Sequence, residues 1–219
     1  MLSAPEPIVE KISVPGRSGE LHIYSGAYKN RQGSCSAYVY HPDNVKAEFG
    51  KIQQWLLGAK GYRRLVTDDD PDHFLRAMVV NGAEVAARMN KIAPFVLKFD
   101  CAPFRYLSSG EEAIEIKDAS EVKNPTLYDA APIYEIVGDG NVVIGVNDDT
   151  LTVNDLGVYI YSRTMYFDAE TMNAYTPDTP NANDRVSTVG DMKLRGGVNS
   201  ITITGSVESV KIIPRWCEL

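Results

Sequence analysis

Gly197-Val198-Asn199-Ser200-Ile201-Thr202-Ile203-Thr204-Gly205-Ser206-Val207-Glu208-Ser209-Val210-Lys211-Ile212-Ile213 is the stretch whose reading decides the fold class. Ile201 and Ile203 alternate with Thr202 and Thr204, Gly205 interrupts the run, and residues 207–213 resume it. Alternation at period two, bounded by glycine, marks antiparallel sheet with one buried face. The stretch therefore reads as two closing strands at a sandwich edge, entered through a strand and turn at 167–171 and a glycine turn at 196–197.

Moving upstream, residues 133–137 and 142–146 flank Gly138-Asp139-Gly140 and read as a hairpin, with further turn chemistry at Asn147-Asp148-Asp149 and Asn154-Asp155. Residues 158–161 and 165–167 complete a set of short strands at roughly eight-to-twelve-residue spacing, the pattern of a β-sandwich over 125–219. Before it, residues 108–124 are polar and acidic around the short alternating strand Ala113-Ile114-Glu115-Ile116. This composition predicts a linker region between two domains.

Residues 1–107 read as a small β domain with one packed helix. Strands are expected at 13–24 and 33–40, the second rich in tyrosine and small residues that suit a pleated surface. Val45, Phe49, Ile52 and Leu56 then recur at helical spacing, with Trp55 and Leu57 widening the stripe, so the chain is helical over 43–57. Asp43 or Asn44 supplies the N-cap and Gly58 the stop. Strands follow at 64–67, 74–80, 83–89 and 94–99, with Asn81-Gly82 as a tight hairpin turn. The fold class is mainly β.

The chain has 219 residues, 44% of them hydrophobic and 23% charged, with no run of about 18 apolar residues to cross a bilayer. The start of the chain lacks the basic and apolar regions of a secretory signal. Net charge is −7, from 29 acidic and 22 basic residues, which opposes general nucleic-acid binding. The short basic run Lys60-Gly61-Tyr62-Arg63-Arg64 reads as a solvated turn. Cys35, Cys101 and Cys217 are odd in number and widely spaced, so buried thiols of a reducing compartment are expected rather than disulfides.

No constellation of a known chemistry is visible. Asp68-Asp69-Asp70-Pro71-Asp72 lacks the ligand spacing of a calcium loop and reads as an acidic turn bent by Pro71. His22, His41 and His73 stand apart, without metal-ligand spacing. No acid pair has the better claim to glycoside hydrolysis, and there is no nucleophile elbow or phosphate-cradling loop. The sequence thus predicts no catalytic residue, no metal and no cofactor. Tyr159, Tyr161, Tyr166 and Tyr175 allow two readings, a sugar-stacking platform or cross-strand packing, with Tyr159 and Tyr161 expected on one face.

Together with Val14-Pro15-Gly16-Arg17-Ser18-Gly19-Glu20-Leu21 and Phe99-Asp100-Cys101-Ala102-Pro103, the tail of the chain resembles the distal tail proteins of long-tailed, flexible-tailed bacteriophages. The resemblance implies a structural virion protein: an N-terminal ring-forming domain, matched by residues 14–21, the helix and 70–74, and a C-terminal galectin-like or carbohydrate-module-like sandwich. It implies a homo-hexameric ring joining the tail tube to the tail tip or baseplate, assembled in the host cytoplasm. Expected partners are other copies of the chain, the tail tube protein, a tail-tip protein, and a receptor-binding protein or cell-wall glycan, with neither sequence-specific nucleic-acid binding nor membrane insertion. Pro15, Gly16 and Arg17 are the expected subunit contacts, and Tyr159 and Tyr161 the expected glycan or partner contacts. Members of that family usually carry some tens of residues ahead of the Pro-Glu-Pro segment, which here begins at Pro5. The rival reading is a carbohydrate-binding adhesion module acting on the host envelope.

Overall fold

The computed structural model describes residues 3–58, 60–80, 84–85, 91–158 and 161–219. The Asn81-Gly82 turn and Tyr159 lie outside the described residues. The chain divides into two compact units, residues 1–105 with Leu219, and residues 106–218.

In the first unit, β1 (Pro7–Ser13) and β2 (Glu20–Tyr28) form an antiparallel hairpin, where one strand over 13–24 was expected. Glycines at 16 and 19, with φ of 82° and 84°, let the chain reverse there. A second sheet contains β3 (Arg31–Tyr40), β4 (Arg63–Thr67), β5 (Asp70–Val79), β6 (Glu84–Val85) and the long β7 (Ile92–Leu107), which pairs with β3 in register from Arg31↔Cys101 to Tyr40↔Ile92. Asp68 and Asp69 are the two-residue turn between β4 and β5, and Pro71 lies inside β5.

The helix α1 (Val45–Gly58) is capped by Asn44, whose Oδ1 accepts the Ala47 N–H at 3.0 Å. The His41 Nδ1 accepts the N–H groups of Asp43 and Asn44, fixing the approach to the cap. Phe49, flanked by Val45 and Ile52, packs on Ala37, Val39, Ala93 and Phe95, with the Phe49 and Phe95 rings edge to face at 5.3 Å. Trp55 and Leu57, expected to widen the apolar stripe, are 76% and 50% exposed; they lie on opposite flanks of Phe49, the buried centre of the helix face, Trp55 about 120° and Leu57 about 80° from it.

The second unit is organised by two long strands, β10 (Ile133–Val146) and β15 (Gly197–Ile213), paired with each other end to end. β8 (Ile114–Ile116) and β9 (Ser120–Asn124) precede them, and β11 (Asp149–Leu156), β12 (Thr164–Asp168), β13 (Asn173–Tyr175) and β14 (Val186–Val189) lie between them. β16 (Cys217–Glu218) follows.

Residues 133–137 of β10 pair with β12, and 142–146 with β11; residues 210–212 of β15 pair with β8, and 197–201 with β9. All eight strands form one sheet, in which the β10–β15 pair changes neighbours along its length, flanked by β12 and β8 at one end and by β11 and β9 at the other. The expected hairpin at Gly138-Asp139-Gly140 is instead a bulge within β10, and Gly205 sits inside β15 rather than between two strands. The glycines allow close approach at this bend: a Cβ on Gly138 would meet the Ser206 carbonyl oxygen, and Gly205 has φ of 112°.

A second bulge, at Glu208, changes which residues of β15 face inward. Asn199 and Ile201 are buried before it, Val210 and Ile212 after it, an odd-to-even switch that only an inserted residue can produce. The inward side chains of this sheet gather in one core with Ile136, Val142, Ile144, Leu151, Met165, Phe167 and Leu194. At their centre the fully buried Tyr134 donates its hydroxyl to the Met192 carbonyl at 2.7 Å, and burial raises its pKa far above the phenolic norm.

Three further expectations are corrected. Residues 108–124, expected as a linker, lie in the second unit, where β8 and β9 both pair with β15. Val158 and Tyr161, expected at the two ends of a strand, lie in none, and the Tyr161 N–H donates to the Val158 carbonyl at 3.0 Å; residues 159 and 160 lie outside the described residues. Of the three thiols expected to be buried, Cys101 and Cys217 are, whereas Cys35 is exposed.

Candidate functional site

By the alternation of β3 and β7, the residues Arg31, Gly33, Cys35, Ala37 and Val39 share one sheet face with Ala93, Phe95, Leu97, Phe99 and Cys101. The helix α1 covers only the end of that face holding Ala37, Val39, Ala93 and Phe95. The other end opens into a cavity of about 750 Å3, walled by Arg31, Cys35, Phe99 and Cys101 from this face and by Leu65, Thr67, Asp70, His73 and Leu75 from β4 and β5.

Two arginines line this cavity. Arg105 donates to Asp70 at 3.0 Å, and the other oxygen of Asp70 meets His73 Nδ1 at 2.6 Å; the His73 hydrogen bond and the nearby positive charges hold the Asp70 carboxyl below the usual range. Arg31 is different. It is only 6% exposed, and its Nε and Nη2 have no hydrogen-bond partner. Burial lowers its pKa; Cys101 beside it acts the other way, but its thiol is itself pushed up towards the neutral form by burial, and the Arg105 cation lowers the Arg31 pKa further. A guanidinium in this position has donors and no anion.

The first unit exposes many large apolar side chains, among which Val66 lines the cavity. Of the twenty large hydrophobic residues exposed among the described residues, fourteen lie in it, including Ile8, Leu21, Ile23, Tyr24, Tyr38, Tyr40, Trp55, Tyr62 and Val66. Among the described residues its helix-on-sheet core holds four buried residues, against twenty-two in the core of the second unit. The charge is also divided: residues 1–105 carry fourteen Lys and Arg against eleven Asp and Glu, a net +3, and residues 106–219 carry eight against eighteen, a net −10.

Pro15, Gly16 and Arg17 occupy the exposed turn of the β1–β2 hairpin, where the Arg17 N–H donates to the Val14 carbonyl at 3.1 Å. Tyr161 belongs to the other unit and lies on the Arg185 guanidinium, 4.2 Å from the ring centroid. Tyr166 and Tyr175 stack on each other at 5.2 Å across the β12–β13 pair. Among the described residues no three His, Cys, Asp or Glu side chains gather in a way that could hold a metal ion, and no helix is long and apolar enough to cross a membrane. Sequence reasoning missed Arg31: an arginine opening a polar strand gives no local sign of burial, which arises from the long-range pairing with Cys101.

No family model matches the chain, and neither does any curated protein at a significant level. A solved structure does: the SPP1 Dit protein (gp 19.1), described as a paradigm of the hub adsorption apparatus in phages that infect Gram-positive bacteria, with a TM-score of 0.68 over 97% of this chain and 90% of that one. The two chains share a fold. At 15% identity the likeness is one of architecture and not of side chains, and it extends over both units.

Proposed function

We propose that the chain is a structural protein of a bacteriophage tail, a distal tail protein of which six copies close into a hub ring between the tail tube and the tail tip or baseplate. The observation that carries this reading is the match of both units, in one order, over nearly the full length of the SPP1 hub protein. A sandwich alone serves many functions, so likeness of the second unit by itself would carry little. The under-packed and apolar first unit supports a role for residues 1–107 in making the ring, by heterologous contacts that close after six steps.

In this reading the Pro15-Gly16-Arg17 turn lies at the subunit boundary, with Arg17 facing a neighbour's carboxylate, while residues 125–219, a galectin-like sandwich, meet the tail-tip protein and the receptor-binding apparatus. The role is structural and not catalytic, and the protein resides in the virion after assembly in the host cytoplasm. The adhesion-module alternative has less support, since Tyr166 and Tyr175 present their faces to each other and Tyr161 is stacked by Arg185. Native mass spectrometry and negative-stain images of the chain, alone and with the tail-tube protein of the same phage, test the proposal. Six-fold rings are expected; a monomer or dimer under both conditions rejects it.

A further inference from the structure

We propose that the cavity beside Arg31 is a carboxylate receptor, and that its occupant is an Asp or Glu side chain of a second copy of this chain. The proposal rests on the ring reading for its occupant but not for its chemistry.

A buried guanidinium whose Nε and Nη2 lack acceptors is costly; both atoms are closed to water, so the Arg31 side chain has to turn towards the opening to meet an acceptor brought from outside. The opening of about 750 Å3 next to it is far larger than one side chain needs, so a neighbour can bring the chain segment that carries its acid. A carboxylate fits better than a phosphate or a neutral amide. Its two oxygens match the parallel Nε–H and Nη2–H of one guanidinium edge, and a single negative charge balances a single buried positive one. Two carboxylates line the cavity, Asp69 and Asp70; Asp70 is engaged by Arg105 and His73, and neither is among the charges that act on Arg31. The thiol of Cys101, raised by burial, remains neutral and offers no countercharge.

Two observations favour a second copy as the source. Each chain carries a net +3 over residues 1–105, the unit that contains the cavity, and a net −10 over residues 106–219, so every copy brings both the receptor and an excess of ligands. The cavity also opens beside Val66 on β4, the strand that ends the hydrogen-bonded order of its sheet, where apolar area stands ready to be covered. A contact of this kind is heterologous, since the receptor lies on one unit and the excess of acids on the other, and heterologous contacts are those from which closed rings are made.

The test has two arms. In the first, the Arg31 Nε–H resonance is followed by NMR in the dilute protein while sodium acetate and N-acetyl-glutamate amide are added. A saturable shift, absent in Arg31→Met, is expected; no shift with either carboxylate overturns the receptor itself. In the second, self-association of the full chain is measured by native mass spectrometry and sedimentation for the wild type, Arg31→Met and Val66→Trp. Val66→Trp blocks the mouth from an exposed position and leaves Arg31 in place, so it keeps the test sharp if Arg31→Met fails to fold. Both variants should weaken association at least tenfold. Wild-type association of folded variants overturns the proposal while leaving the ring intact. A wild-type chain that binds carboxylate through Arg31 yet never self-associates overturns the second-copy occupant, together with the ring reading.

Discussion

The ion pair between Arg215 and Asp168 offers the sharpest test of how the second unit is held together. Asp168 ends β12 and Arg215 lies two residues beyond β15; both strands pair with Ile133 at the start of β10, so the side chains reach across the strand between them. The contact is bidentate, Nη1 to Oδ1 at 2.8 Å and Nη2 to Oδ2 at 3.1 Å, and the two side chains are only 18% and 16% exposed. Removing one partner of a buried pair costs about 3–5 kcal/mol; allowing for the remaining exposure and for Glu170 nearby, Arg215→Met should cost about 2–4 kcal/mol. For a unit of this size that lowers the melting midpoint by about 8–16 °C, at roughly 4 °C per kcal/mol. Asp168→Asn together with Arg215→Met should be less damaging than the sum of the two, with a coupling of about 1–3 kcal/mol. Burial pushes the Asp168 pKa up, but the Arg215 hydrogen bonds, the Glu170 N–H and the Arg215 charge outweigh it and hold the carboxyl below its usual range. A depressed folded pKa means that the stabilisation is complete above the unfolded value of about 3.9 and lost as pH falls through the folded value. The gap in melting midpoint between wild type and Arg215→Met, read by calorimetry, should therefore be full at neutral pH and narrow below about pH 4. A loss under about 0.5 kcal/mol with strictly additive variants would refute the argument.

Three further outcomes are expected. Gly205→Val places a Cβ against the Asn141 carbonyl at a backbone φ of 112°, so it should cost about 3 kcal/mol or more and lower the soluble yield; Gly140→Ala, which has open space at its Cβ, should cost about 1 kcal/mol. Tyr134→Phe leaves the buried Met192 carbonyl without its donor and should lower stability by about 1–2 kcal/mol in urea titrations, with an unchanged m-value. In limited trypsin digestion Lys123 should resist cleavage, because β9 is paired with β15; an early cut there would show that the pairing is not kept in solution.

Where the sequence carried a local period, the structure follows it. The spacing of Val45, Phe49 and Ile52 located the helix and its buried face, and Asn44 its cap. The alternation in residues 201–204 and 210–213 located the inward residues of β15 on either side of its bulge. What the sequence could not separate is a glycine at a hairpin turn from a glycine at a bulge, because both positions demand the same backbone freedom. Gly138-Asp139-Gly140 and Gly205 therefore read as chain reversals, although each lies within a continuous strand. Residues 120–124 looked like linker for a related reason: alternation between lysine, glutamate and valine is weak, and Val122 and Asn124 are buried only because β15 arrives beside them from far along the chain. Of the candidate site, the Arg31 cavity was not legible, since a cavity made where a helix stops short of covering a sheet leaves no mark on any one segment.

The central place of β15, which pairs with β8, β9 and β10, also sets the order in which the second unit can be made. Val122 and Ile116 have their partners in β15, 77 and 94 residues later. As the chain leaves the ribosome, β8 to β14 emerge with every β15 contact unmade, so the sheet cannot be completed until residue 213 is outside the exit tunnel. Folding of this unit is accordingly expected to be post-translational and slow, as for other topologies dominated by distant pairings. During that interval the edge of β10 that awaits β15 is open to the same edge of another nascent chain. A polysome crowded with copies of this protein is where misassembly should be sought, and a stop codon shortly before residue 197 should yield aggregate instead of a smaller folded sandwich.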